Sequence, residues 1–218
     1  MDRYAAEREE MVQRQLQSRG IKDDRVLDAM RKVPRHLFVS RNQETRSYWD
    51  CPLAIGLGQT ISQPYIVALM CEALELTEDS ECLEIGSGSG YAAAVMSELC
   101  HHVITIERIP ELADLANTNL KGAGYSRVDV RCSDGSLGYS RKAPYDAIAV
   151  AAGAPATPKT LQAQLKTGGR LIIPVGRNHH YQDLIRIRRL SDNDFQSENL
   201  GGVAFVPLVG KEGWADPT

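Results

Sequence analysis

The chain has 218 residues, 43% apolar and 24% charged, with a formal net charge of −3, enough for one globular domain around a buried core. That balance argues against a dedicated nucleic-acid or membrane-surface binder; the charged first twenty residues do not read as a signal peptide, and no apolar run approaches the ~20 residues that span a bilayer. The five cysteines (Cys51, Cys71, Cys82, Cys100, Cys132) form no C-x-x-C pair and three lie in apolar runs, so reduced thiols in a cytoplasmic protein are expected and a metal site is not.

Residues 2–18 read as a helix closed by Gly20. Asp23 caps a second helix that carries Val26, Leu27 and Met30 on one face and stops near Pro34. From His36 to Gly58 no period is clear and Pro and Gly recur, which predicts loop or short irregular elements. Pro64 opens a helix in which Val67, Met70, Leu74 and Ile66, Leu69, Ala73 follow helical spacing. A strand over 82–85 runs into Gly86-Ser87-Gly88-Ser89-Gly90, followed by a helix through Val95 and Leu99. A strand over 102–107, a helix from Pro110 through Leu120, and strands over 128–132 and 146–150 come next. A helix from Thr157-Pro158 to Leu165, closed by Gly168-Gly169, precedes a strand over 170–175.

The last two predicted strands are 183–190 and 203–208, an antiparallel pair with a turn at Asp192-Asn193. Arg186, Arg188 and Arg189 read as the solvated side of the first, with Leu184, Ile185, Ile187 and Leu190 mainly buried. The adjacent pairs His101-His102 and His179-His180 have a spacing that does not converge on one metal. Strand alternating with helix predicts an α/β fold: a seven-stranded, mostly parallel sheet with helices on both faces. No repeat or linker divides the chain, so residues 1–218 are expected to form a single domain, with 1–60 an N-terminal helical extension and 61–218 the core.

Ligands of such sheets sit beyond the carboxyl ends of the strands, where strand order reverses. Gly86 permits the sharp turn there, Gly88 and Gly90 admit a close ligand, and the next helix aims its N–H groups at an anion. A phosphate-binding P-loop would need Gly-Lys-Ser/Thr, which is absent, and in a dinucleotide fingerprint Tyr91 would be glycine. An acid two positions before G-x-G-x-G, here Glu84, instead resembles the loop of Rossmann-like methyltransferases. S-adenosylmethionine offers a cationic end to Glu84 and two ribose hydroxyls to Glu107, and Asp134-Gly135 would flank its adenine. Glu107 and Asp134 taken singly are equally well read as solvated loop acids; three acids on successive strands favour the cofactor.

The sequence is similar, over nearly its whole length, to the protein-L-isoaspartate (D-aspartate) O-methyltransferases. The resemblance rests on residues 25–30 and 33–36, Asp50-Cys51-Pro52-Leu53, Ile55-Gly56, Gly58-Gln59-Thr60-Ile61-Ser62-Gln63-Pro64, the glycine loop, residues 143–148, 164–166, 168–171 and 173–176, and Phe205-Val206-Pro207-Leu208. Thr60-Ile61-Ser62 and the Phe-Val-Pro-Leu segment are the most particular to it. It implies the Rossmann-like S-adenosylmethionine-dependent fold and methyl transfer to the free carboxylate of L-isoaspartyl, and less well D-aspartyl, residues. The ester then collapses to a succinimide whose hydrolysis repairs the chain. The resemblance makes Ser62 the active-site residue and has Thr60, Ile61 and Ser62 line both cofactor and substrate. It assigns the cofactor to Glu84, Gly86, Glu107, Asp134 and Gly135, to which the reading of the glycine loop adds Ser87, Gly88 and Gly90, and substrate docking to Ile61, Ser62 and the backbone around Val206 and Leu208. Damaged peptides and proteins are the implied partners, with no nucleic acid, membrane or metal, and a monomer is expected.

A carboxylate with pKa ~4 is already ionised at neutral pH and needs no general base. Ser62 is therefore expected to orient it rather than attack, although its place before Pro64 also suits a plain helix N-cap. The alternatives are a methyltransferase of the same fold acting on another carboxylate or small molecule, and a binding module that has lost its chemistry. The Asn/Asp-Pro-Pro-aromatic motif of base methylases is absent after the fourth core strand, which reads Val150-Ala151-Ala152-Gly153-Ala154-Pro155.

Overall fold

The computed structural model describes residues 3–178 and 180–216, so residue 2 of the first predicted helix and His179 lie outside the described residues. The N-terminal segment is helical with three hydrogen-bond periods: α1 (Ala5–Glu10) passes into a π-helical stretch, Met11–Leu16, and a 3-10 turn, Gln17–Arg19. The wider π turn gathers Met11, Val12 and Leu16 on a narrower arc than a 3.6 period allows, and all three are buried. Gly20 ends the segment at φ +100°. The Asp23 side chain accepts the Arg25 N–H at 2.9 Å and caps α2 (Asp24–Lys32), which stops at an extended Val33 before Pro34.

The stretch from 36 to 58 is more ordered than its sequence suggests. After 3-10 turns at Arg35–Phe38 and Arg41–Arg46, β1 (Leu53–Gly56) and β2 (Gln59–Ile61) form an antiparallel hairpin. Its two-residue loop, Leu57-Gly58, has φ +51° and +71°, the type I′ pattern. Asparagine or glycine normally announces that turn; an exposed leucine hid it.

Beyond the hairpin come α3 (Pro64–Leu74), β3 (Glu81–Ile85), α4 (Tyr91–Ser97), β4 (His102–Glu107), α5 (Pro110–Gly122) and β5 (Val128–Cys132). They are followed by β6 (Tyr145–Val150), α6 (Lys159–Ala163), β7 (Leu165–Val175), β8 (Gln182–Arg189) and β9 (Phe195–Val203). The large sheet has the order β5-β4-β3-β6-β7-β8-β9, parallel from β5 to β7 and antiparallel at β8 and β9. This is the expected seven-stranded, mostly parallel α/β sheet. Alternation along the strands splits the core: Cys82 and Val103 face the N-terminal helices, α3 and α4, while Leu83 and Ile104 face the layer that contains Leu161 of α6.

Three predicted boundaries are corrected. α6 is shorter than residues 157–165, because Leu165 already pairs with Tyr145. Gly168-Gly169 therefore lies inside β7, where the register jumps from Tyr145↔Leu165 to Ala147↔Arg170 and Gly168 takes φ +85°. The final strand is Phe195–Val203 rather than 203–208, since the turn closed by Leu190 N–H on Asp194 C=O returns the chain at once. Leu190 is exposed at that turn instead of buried. Residues 204–208 leave the sheet as an extended segment tied to Gly153, with Gly153 N–H donating to Val206 C=O (2.8 Å) and Leu208 N–H to Gly153 C=O (2.7 Å). All five cysteines are free, and Cys71, Cys82 and Cys100 are buried. Among the described residues no helix is long and apolar enough to cross a membrane.

Candidate active site

Chain order reverses between β3 and its neighbours β4 and β6, and a cleft opens at the carboxyl ends of these strands. Its floor is the glycine loop. Gly86 N–H donates to Ile106 C=O (2.8 Å), which draws the loop across the end of β4, and Gly90 starts α4 at φ +92°. A methyl at Gly90 would press on Leu120 and one at Gly88 on Ile55 of the hairpin, so helix and hairpin both close on the loop. A methyl at Gly135 would overlap Ile85.

Two acids define one half of the cleft. Glu107, 6% exposed, accepts Gly88 N–H at 3.0 Å with one oxygen and Ile109 N–H at 3.1 Å with the other, so it fixes both the loop and the start of α5. Glu84, 1% exposed, accepts the Thr105 hydroxyl. Thr105 has a single proton, so Ser87, 2.6 Å away, donates to it, and a buried relay runs Ser87 to Thr105 to Glu84. Burial pushes the Glu84 carboxyl up to about 8; the Thr105 bond opposes that rise, and the charge of Glu107 adds to it. Among the described residues no ion pair reaches either acid. Two buried carboxyls lacking a cation suit a ligand that brings one.

The other half is set by the hairpin, α3 and the 204–208 segment. Ser62 follows β2 directly, and Leu53↔Ile61 pairing fixes the approach of the chain. The helix N-cap is Gln63, with no side-chain cap bond, and Asp50 does the capping from outside, accepting Tyr65 N–H (3.3 Å), Gln63 Nε2–H (2.8 Å) and the Arg19 guanidinium. Ser62 is thus not the cap, and its hydroxyl makes no hydrogen bond among the described residues. It lies where the cleft meets a second, uncharged groove.

Of the predicted site residues, Thr60, Ile61, Ser62, Glu84, Gly86, Ser87, Gly88, Glu107, Gly135, Val206 and Leu208 line the cleft. Gly90 and Asp134 do not. The Asp134 carboxylate accepts Ser136 N–H (2.9 Å), Ser136 Oγ–H (2.7 Å) and Lys211 N–H (2.8 Å), which anchors the C-terminal segment behind Gly135. The Val206 carbonyl and Leu208 amide are likewise spent on Gly153. Sequence reasoning missed Tyr91, Arg108 and Ala151 in the lining. Tyr91 had a signal, as the large residue following the third glycine.

The sequence profile described as protein-L-isoaspartate(D-aspartate) O-methyltransferase matches residues 6–213. The chain belongs to this family. A protein-L-isoaspartate O-methyltransferase of Rhodopseudomonas palustris is 55% identical over 207 residues, covering 95% of each chain. One of Pelobacter propionicus is 56% identical over 207 residues, 95% of this chain and 92% of the relative. Among solved structures, a protein-L-isoaspartate O-methyltransferase superposes with a TM-score of 0.85 at 30% identity, over 94% of this chain and 67% of the other. A putative Plasmodium falciparum enzyme of this kind, in complex with S-adenosyl-L-homocysteine, gives 0.78 at 26% identity, over 91% and 96%. Like its family, the chain is an S-adenosylmethionine-dependent methyltransferase of protein isoaspartyl carboxylates, and the alternative of another small-molecule substrate falls away.

Proposed function

We propose that one domain, acting as a cytoplasmic monomer on isoaspartyl peptides and proteins and not on nucleic acid, divides the reaction between the two halves of this cleft. Glu84 faces the cationic end of the methyl donor, with Ser87 and Thr105 holding it in place. Gly86 and Gly88 give the donor room, and Glu107 keeps lone pairs for the ribose hydroxyls beyond its two amide bonds. Gly135 forms the adenine wall, Asp134 fixes that wall through Ser136 and Lys211, and Gly90 sets the start of α4. Thr60, Ile61 and Ser62 border donor and substrate together.

When bound, S-adenosylmethionine supplies an electrophilic methyl group on a sulfonium. The chain has no proton to remove, because the substrate carboxylate is ionised at neutral pH. Its task is alignment and exclusion of water, which is worth several of the ~7–11 kcal/mol available from proximity. The Ser62 hydroxyl donates a hydrogen bond to one carboxylate oxygen and leaves the other free to take the methyl group. Ile61 and the unpaired backbone groups of 204–207 hold the peptide; Phe205 N–H is spent on Gln182, the Val206 carbonyl on Gly153 and both Leu208 groups on Gly153 and Trp214, so Leu208 acts there through position.

The observation that carries this reading is the Ser62 hydroxyl, unbonded at the junction of a charged cleft and an uncharged groove. Ser62→Ala is expected to lower kcat on an isoaspartyl peptide about tenfold or more with an unchanged melting temperature, since no internal bond is lost. Full activity in the folded variant, measured with labelled S-adenosylmethionine, would remove Ser62 from the chemistry.

A further inference from the structure

The second groove adjoins the reaction site and has four walls in common with it: Thr60, Ser62, Ala151 and Val206. None of the residues lining it is charged. Its outer wall is Tyr181, which is 62% exposed, an unusual degree for an aromatic side chain beside an active site. The tyrosine is nonetheless held in place. Its N–H donates to Asn178 Oδ1 at 3.0 Å, and its phenol lies on Gly202 of β9 so closely that a methyl there would overlap the ring. Gly176 is equally close to the Tyr181 carbonyl. The hydroxyl end of the ring thus lies against the backbone of β9 while much of the side chain stays in solvent, and Phe205, Ile66 and Pro52 complete an apolar shelf.

A peptide that presents its isoaspartyl carboxylate at Ser62 has two flanking residues, and the function proposed above assigns the cofactor half of the cleft to the donor, while the second groove begins at Ser62 itself. At least one flank must leave across this groove. We infer that Tyr181 is a specificity determinant, resting on the function proposed above: it stacks on an apolar or aromatic side chain next to the isoaspartyl residue. The enzyme then favours isoaspartyl sites with such a neighbour. An acidic neighbour would lose water in a groove that returns no cationic partner, so it is disfavoured.

The test uses isoaspartyl peptides identical except for Phe, Ala or Asp on the N-terminal or the C-terminal side of the isoaspartyl residue. On one of the two sides the wild-type enzyme should show kcat/KM roughly two- to tenfold higher for Phe than for Ala, carried by KM, with Asp lowest. Tyr181→Phe keeps the ring and should keep the Phe:Ala ratio, whereas Tyr181→Ala should bring it close to one. Equal values for Phe and Ala on both sides, or a ratio that persists in Tyr181→Ala, would overturn the inference while leaving isoaspartyl methylation intact. Failure to methylate any of the peptides would remove the underlying reading and this inference with it.

Discussion

The two halves of the cleft solve opposite problems. The cofactor half is charged and internally bonded: Glu107 spends both oxygens on backbone amides, and Glu84 closes a hydroxyl relay, all before any ligand arrives. The substrate half has no charge in its outer groove, and the Ser62 hydroxyl that it shares with the cleft is unbonded among the described residues. A small cation of fixed shape is well recognised by buried acids held in place. A damaged residue inside an arbitrary protein is better recognised by position, since its carboxylate has the same charge as every other one. Recognition by charge is thus kept apart from recognition by geometry.

The sharpest way to break that division is at Glu107. In the proposed arrangement Glu107→Ala takes the acceptor from both ribose hydroxyls, and it frees Gly88 N–H, so S-adenosylmethionine affinity should fall by about a hundredfold or more. The variant should still prefer isoaspartyl over aspartyl peptide. Unchanged affinity in calorimetry would take Glu107 out of the site.

Glu84 sharpens the same contrast through pH. A carboxyl raised from 4.5 to about 8 in the free protein is largely protonated at neutral pH, and a cationic ligand calls for the ionised form. Affinity for S-adenosylmethionine should therefore climb up to about tenfold per pH unit below 8 and level off above it. The sign for stability is the reverse: because the folded group binds its proton more tightly than the unfolded one, the stabilisation is complete below about 4.5 and is lost as pH rises through 8. Melting temperatures of the ligand-free wild type against Glu84→Gln between pH 5 and 9 read this directly. Parallel curves would mean that Glu84 does not titrate there.

Asp50 should give the smallest effect and bears on the substrate half alone. Asp50→Ala deprives α3 of its cap and costs about 1 kcal/mol of stability, with KM for peptide rising more than KM for donor because the Ser62 approach loosens. A shift confined to the donor would contradict the assignment of the capping contact to the substrate side.

The cofactor half was the more legible in the sequence, for a physical reason. Strand, glycine turn and helix are consecutive, so local periodicity and one acid per strand end located Glu84, Gly86, Gly88 and Glu107 without long-range information. The substrate half is built from distant pieces. Leu57 at a positive φ concealed the hairpin, and Asp50 caps a helix that begins fourteen residues later. Residues 204–208 have the composition of a strand but are drawn out of the sheet by Gly153. Asp134 illustrates the same limit, since its carboxylate is turned by a tail seventy-seven residues away.

Geometry as the basis of substrate choice is tested most directly by matched isoaspartyl and aspartyl peptides competing at equal concentration for the wild-type enzyme. Both carry one carboxylate of similar pKa, but the isoaspartyl chain runs through the β-carbon and presents its α-carboxylate on a shorter arm. With the peptide held along 204–208 and the carboxylate aimed at Ser62, the aspartyl oxygen lies about one methylene out of place, and a misplacement of about 1 Å costs on the order of a hundredfold. The account predicts kcat/KM for the isoaspartyl peptide at least about a hundredfold above that of its twin. Comparable values for the two would contradict it.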